Sequence, residues 1–233
     1  MLELHKVKAG YGESPVVFDM SMRVDKGEIV SIIGRNGVGK TSTLKAIMGL
    51  INTMSGDITF ESTKITKLPT HKRGRLGIAF VPDDRGIFVN LTTAENLRIP
   101  LIGARMDTKK ENGVFDFVFE LFPILKERMH QKAGTLSGGE QQMLTIARGL
   151  VIRPKLLILD EISEGLAPEV IARCCDAFVK IKSETTILMA EQDVRAALEI
   201  SDRVYIMLNG SVAFEGTVPQ VREQNAIERF IHV

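Results

Sequence analysis

The sequence predicts an α/β fold: a mainly parallel sheet with packed helices, interrupted by an inserted helical lobe. Three observations carry that prediction. Short apolar strands such as Glu28-Ile29-Val30-Ser31-Ile32-Ile33 and Leu156-Leu157-Ile158-Leu159 alternate with helical segments, and strands buried on both faces belong to parallel sheets. A glycine-rich turn lies between the first of those strands and the helix after it. Residues from about 90 to 150 have helical character, which sets that stretch apart as an insertion.

In chain order, Leu2, Leu4 and Val7 alternate with polar residues as in a strand with one exposed face. Residues 16–24 form a second apolar stretch, closed by the turn Asp25-Lys26-Gly27. After the strand at 28–33 and its glycines come a helical run at 40–50 and strands at 57–61 and 78–81, the last stopped by Pro82. Two helices stand out in the lobe: 111–125, with Val114, Phe117, Val118 and Leu121 on one face, and 140–151. Alternation then resumes with strand 156–159, helix 168–181, strand 185–189 and a short helix at 194–200. Segments 204–208 and 212–214 flank Asn209-Gly210, a favoured hairpin turn pair. Residues 220–231 read as one amphipathic helix. With no repeat, low-complexity segment or linker, residues 1–233 read as one domain containing a helical lobe at about 88–150.

A chain of 233 residues can bury a substantial core without disulfides or metal clips. Thirty basic residues against 29 acidic ones leave a formal charge of +1. That balance gives no reason to expect nucleic acid or an anionic membrane surface as a main ligand. The two cysteines, Cys174 and Cys175, are adjacent. Neighbouring cysteines pair only under strain and two thiols make no zinc site, so two reduced thiols in a helix are expected. The first residues lack the apolar core of a signal peptide, and no stretch approaches the ~18 to 20 apolar residues that span a bilayer. The expected location is cytoplasmic, with any membrane role requiring partners.

Gly34-Arg35-Asn36-Gly37-Val38-Gly39-Lys40-Thr41 fits the phosphate-loop pattern G-x-x-x-x-G-K-[ST] in full, between a strand and a helix. Glycines let backbone N–H groups turn inward around phosphate oxygens, and the helix N-terminus adds its positive dipole. Lys40 is expected to reach the β- and γ-phosphates and Thr41 to ligate Mg²⁺; the competing reading is a chance glycine-rich turn. Leu156-Leu157-Ile158-Leu159-Asp160-Glu161 is an apolar strand ending in two carboxylates, at the end of the strand that faces the ligand crevice in such sheets. Asp160 would hold Mg²⁺ and Glu161 would polarise the attacking water, the alternative being a surface turn after a core strand. Leu136-Ser137-Gly138-Gly139-Glu140 opens the helix that follows it. Ser137 and Glu140 can form a capping box. Gly138 and Gly139 leave bare backbone suited to an approaching anion. A second phosphate-binding element far from the first suggests two chains sharing each nucleotide.

The phosphate loop, LSGGEQQ at 136–142, the strand ending in Asp160-Glu161 and their order together resemble the ATP-binding subunits of ABC transporters. The resemblance covers essentially the whole chain. It implies the ABC ATPase fold: a P-loop NTPase core, an antiparallel β lobe and a helical lobe bearing LSGGE. It implies ATP and Mg²⁺ as ligands, with the loop residues through Ser42 on the nucleotide. It also implies a head-to-tail dimer in which Ser137, Gly138, Gly139 and Glu140 serve the ATP on the partner's loop. Tyr11, in Ala9-Gly10-Tyr11-Gly12, matches the aromatic that stacks on adenine; otherwise it is an ordinary loop tyrosine.

Several positions depart from the family pattern. Asp83 stands where a glutamine contacting metal and nucleotide is usual, Gln192 where a histidine is usual, Ala167 for an aspartate and Ile162 for a proline. VPDDRGIF, GLAP and EQDVRAALE resemble the smaller ATPase of branched-chain amino acid importers, while GRNGVGKTSTLKAIMGL and LPTHKRGRLGI also resemble the ATPases of urea and short-chain amide importers. Either resemblance implies bacterial or archaeal origin and a peripheral place on the cytoplasmic face of the membrane. The implied partners are two permease subunits, an extracytoplasmic binding protein and a second, different ATPase that carries the histidine. Ile87, Phe88 and apolar lobe residues are expected to form a groove for a permease helix, with Phe88 as lobe core the alternative. A non-transport ABC ATPase and a phosphoryl-transfer kinase are the competing classes.

Overall fold

The structure, a computed structural model, describes residues 1–104 and 111–231. Two sheets enclose the core. The first is antiparallel, in the order β2-β1-β4-β5: β1 (Leu2–Tyr11), β2 (Ser14–Val24), β4 (Asn52–Phe60) and β5 (Thr63–Lys64). The second runs β10-β9-β3-β8-β7-β6: β3 (Ile29–Ile33), β6 (Ile78–Val81), β7 (Leu156–Asp160), β8 (Thr186–Glu191), β9 (Arg203–Leu208) and β10 (Ser211–Thr217). Its pairings are parallel except for the β9–β10 hairpin. In that hairpin's turn Asn209 and Gly210 both have positive φ, 49° and 80°, as a two-residue turn matched to strand twist requires.

Every residue of β3, β7 and β8 is buried, so the two faces of each strand serve different layers. Val30, Ile32, Ile158 and Leu188 pack with helix α1 (Lys40–Met48) under the antiparallel sheet. Ile29, Leu157, Leu159, Ile187 and Met189 join one core cluster with the helix at 168–181 and the lobe helices α3 (Thr93–Gly103), α4 (Glu111–Leu121), α5 (Pro123–Glu127) and α6 (Gly138–Leu150). Helix α2 (Thr70–Arg75) bears Arg73, whose guanidinium is buried and donates to the carbonyls of Ala46, Ile47, Thr66 and Leu68. It supplies donors to the open carbonyl end of α1 and ties that end to the loop beyond the antiparallel sheet.

Two predicted helices are broken. The one expected at 111–125 divides at Phe122, whose φ of −130° and ψ of 75° are not helical; a residue before proline is driven out of the α region, and Pro123 starts α5 instead. The deep face of α4 is Phe115, Val118 and Phe119, with Val114, Phe117 and Leu121 on its flanks. The helix expected at 220–231 divides into α9 (Val218–Glu223) and α10 (Ala226–Phe230) at Asn225, φ 48°, a left-handed residue that its short amide tolerates. Helices α7 (Pro168–Ile181) and α8 (Val194–Ile200) lie where predicted.

Candidate nucleotide site

The loop at 34–41 joins the C-terminal end of β3 to α1. Gly37 and Gly39 have φ of 81° and 106°, a backbone that other residues rarely adopt. The close approach of the chain explains more. A Cβ on Gly34 would lie 2.7 Å from the carbonyl oxygen of Met207, and one on Gly39 3.3 Å from that of Val16. Arg35, Asn36 and Gly37 face solvent, while Lys40 and Ser42 are buried. Gly39 caps α1 without a side-chain hydrogen bond, and no acidic residue lies in the first turn. The helix therefore opens with free N–H groups and an uncompensated positive end.

Lys40 Nζ is held from three sides. It donates to the carbonyls of Gly34 at 2.9 Å and Arg35 at 3.2 Å, and pairs with Glu161 Oε1 at 3.0 Å. Strand β7 ends beside β8, which sets Asp160 under the loop, where Thr41 Oγ1 donates to Asp160 Oδ1 at 2.9 Å. Asp160 Oδ2 is buried without a hydrogen-bond partner. Burial pushes the Asp160 carboxyl up to about 6, with the charges of Asp83 and Glu161 adding to it and the Thr41 hydroxyl opposing. A hydroxyl, a buried carboxylate and an unpartnered carboxylate oxygen are hard oxygen donors. They fit Mg²⁺, which binds through a few such groups together with substrate phosphates.

Asp83 is exposed after β6, and its charge helps to raise the Asp160 carboxyl. Gln192 follows β8, in an open cleft of about 340 Å³ shared with Glu161, Ser163, Glu164, Glu191 and Asp193. Tyr11 is exposed at the β1–β2 turn. Val16, near the start of β2, abuts Gly39 and so brings that turn to the loop.

The turn at 136–140 stands apart. Ser137 Oγ accepts from Glu140 N at 3.3 Å and Glu140 Oε2 accepts from Ser137 N at 2.8 Å, a complete capping box, while Arg128 pairs with Glu140. Packing gives a second reason for glycine at 139, beside the bare backbone that the sequence suggests. A Cβ there would lie 2.6 Å from Val170 Cγ2, so packing against α7 requires it; Gly138 has open space and the guanidinium of Arg85 3.5 Å away.

Three features escaped the sequence reading. Ser163 Oγ donates to buried Glu191 at 2.5 Å. Arg85, at φ 60°, reaches Gln141 at 3.3 Å and so links the loop after β6 to α6. Arg73 braces α1. A non-glycine residue forced to positive φ has no signature in sequence, and the other two contacts join separate elements. Phe88 is 46% exposed beneath the Arg148 guanidinium, 5.0 Å from its ring, rather than part of the lobe core.

A phosphate loop at the carboxyl end of a parallel sheet, a carboxylate pair at the end of β7, one strand beyond β8, and a helical lobe define a nucleotide-binding ATPase cassette. The chain belongs to the ABC transporter family, which matches residues 17–164, and it is a transport-coupled ATP-binding subunit of that family. It is 40% identical over 231 residues to a probable branched-chain amino acid transport ATP-binding protein LivF of Archaeoglobus fulgidus, covering 98% of this chain and 97% of that one. It is 42% identical to the high-affinity branched-chain amino acid transport ATP-binding protein BraG of Pseudomonas aeruginosa, covering 93% of each. Among solved structures, the ADP conformation of MJ1267, an ATP-binding cassette of an ABC transporter, superposes with a TM-score of 0.85 at 26% identity, covering 98% of this chain and 97% of that one.

Proposed function

We propose that this chain is the ATP-hydrolysing motor of an importer for branched-chain amino acids. The chemistry is carried by one observation: Lys40, Thr41, Asp160 and Glu161 meet around a single loop mouth. The cargo is supported by the names of the full-length relatives from Archaeoglobus and Pseudomonas. A urea or short-chain amide importer is the same motor on different permeases.

In this reading the free N–H groups of the loop and α1 receive the phosphates, and Lys40 exchanges Glu161 for a phosphate oxygen. Glu161 then accepts the proton of the attacking water. Thr41 and Asp160 would hold Mg²⁺, with Asp83 beside them, and a bound ion would supply positive charge against the phosphates. Gln192 donates an amide hydrogen bond to the γ-phosphate but does not titrate. Tyr11 stacks on adenine. Ser137, Gly138, Gly139 and Glu140 face the nucleotide of a partner ATPase in a head-to-tail dimer. Ala167 is exposed at the start of α7 and offers no carboxylate across that interface. We therefore take the partner to be a different ATPase with a histidine at its switch position. Among the described residues no helix is long and apolar enough to cross a membrane, so the chain works peripherally, on permeases that Phe88 and Ile87 help to contact.

One experiment tests both parts. Glu161→Gln, mixed with the second ATPase and ATP, should form a stable heterodimer by solution mass. In the assembled transporter it should bind ATP but hydrolyse it about 10² to 10⁴ times more slowly. Hydrolysis near the wild-type rate would remove Glu161 from its role. A tight homodimer of this chain, with full activity and no second ATPase, would remove the heterodimer.

A further inference from the structure

The carboxyl of Glu191 lies at the end of β8, one residue before Gln192, and only 2% of the residue is exposed. Its partner is Ser163, two residues beyond Glu161. Ser163 Oγ donates to Glu191 Oε2 at 2.5 Å, and the Ser163 backbone N–H bears on the same group. The turn is tied to β8 a second time, because Glu161 N donates to the carbonyl of Ala190 at 2.9 Å. Between the two ties Glu161 has a φ of 44°, a left-handed backbone that a glutamate holds only when its surroundings impose it.

We propose that Glu191 is a positioning residue for ATP hydrolysis: by gripping Ser163 it fixes the strained turn that aims Glu161 and couples that turn to the strand leading into Gln192. The inference rests on the reading of Glu161 as the hydrolytic carboxylate. A carboxyl that only filled space here would be costly to bury. Glu191 is pushed up to about 7, chiefly by burial and also by the carboxylates of Glu161 and Asp193, against the opposing Ser163 hydroxyl and N–H. Helix α7 brings the Cys175 thiol toward it, itself pushed up to about 11, and Cys174 lines the same cavity. The Ser163 grip is thus the favourable interaction at an otherwise acidic, desolvated position.

The test measures ATP turnover against ATP concentration in the assembled transporter for Glu191→Ala, Ser163→Ala, the double variant and Ser163→Thr. Glu191→Ala should lower kcat about tenfold and Ser163→Ala about threefold, because the backbone N–H remains, with KM within about twofold. The double variant should be no slower than Glu191→Ala alone, as for two ends of one interaction. Ser163→Thr, which restores a hydroxyl, should recover most of the rate. Unchanged kcat in Glu191→Ala, losses that multiply in the double variant, or a raised KM at constant kcat would each overturn the proposal. If thermal melting shows Glu191→Ala to be misfolded, the Ser163→Ala and Ser163→Thr pair decides it. Glu161→Gln serves as the control. Wild-type hydrolysis in that control would sink the reading of Glu161 itself, whereas a dead control beside a fully active Glu191→Ala would sink only the positioning role.

Discussion

The loop at 34–41 and the turn at 136–140 both open a helix, yet their polar groups are treated in opposite ways. At the loop, Lys40 is drawn inward by two carbonyls and Glu161, Thr41 is engaged by Asp160, and the helix start is left uncapped. At the turn, the cap is closed on itself by Ser137 and Glu140, with Ser137 and Gly138 exposed. The first region gathers these groups from two segments of its own chain, the loop and the end of β7. The second has satisfied its own helix and presents bare backbone outward. In the proposed reading, that surface completes the nucleotide site of a partner ATPase.

Removing the central charge of the first region should give the largest effect. Lys40→Ala loses a charged hydrogen-bond donor to phosphate, worth about 1.5–3 kcal/mol. That is roughly ten- to hundredfold in Kd for ATP, measured on the chain alone by titration with a fluorescent ATP analogue. The same assay on Gly138→Ala should show no change, since in the proposed reading that turn serves the partner's nucleotide. An unchanged Kd for Lys40→Ala would remove the asymmetry on which the comparison rests.

The two glycines divide the second region. Gly139→Ala pushes a methyl into Val170 and should cost about 1–3 kcal/mol of stability, read as a lower thermal midpoint. Gly138→Ala meets only the flexible end of Arg85 and should change stability by no more than about 0.5 kcal/mol. It should still slow hydrolysis in the assembled transporter by roughly tenfold, because the added methyl blocks the approach of the partner's phosphate. Normal turnover by a folded Gly138→Ala transporter would leave the turn a helix cap and nothing more.

The same contrast marks what is legible in sequence. Contiguous chemistry was readable: the phosphate loop, the strand ending in Asp160-Glu161, the Asn209-Gly210 turn and the α7 boundaries all follow from local spacing and local backbone rules. The break at Phe122 was available from Pro123 and was outweighed by the run of apolar residues around it. The break at Asn225 had only a weak signal, since asparagine tolerates left-handed backbone without demanding it. The need for Gly139 comes from Val170 on another helix, and the Ser163–Glu191 bond joins residues 28 apart on different elements. Such contacts have no periodicity to betray them, because they are products of the sheet order rather than of any segment.

Tyr11 offers the finest probe of the first region, because it would touch the nucleotide away from the phosphates. Its ring is 51% exposed at the β1–β2 turn, and only the approach of β2 to Gly39 places it near the loop. Aromatic stacking contributes about 0.5–1.5 kcal/mol, so Tyr11→Ala should raise the Kd for ATP by roughly three- to tenfold. Tyr11→Phe keeps the ring and should leave it unchanged. Inorganic pyrophosphate supplies the control, since it fills the phosphate cradle and carries no base. Its competition against the bound ATP analogue should be untouched by Tyr11→Ala after correction for the analogue's own Kd. Lys40→Ala should weaken both ligands. If Tyr11→Ala weakened pyrophosphate as much as ATP, the tyrosine would be shaping the loop through β2 and not stacking on adenine. If it weakened neither, Tyr11 would be an ordinary exposed residue of the hairpin turn.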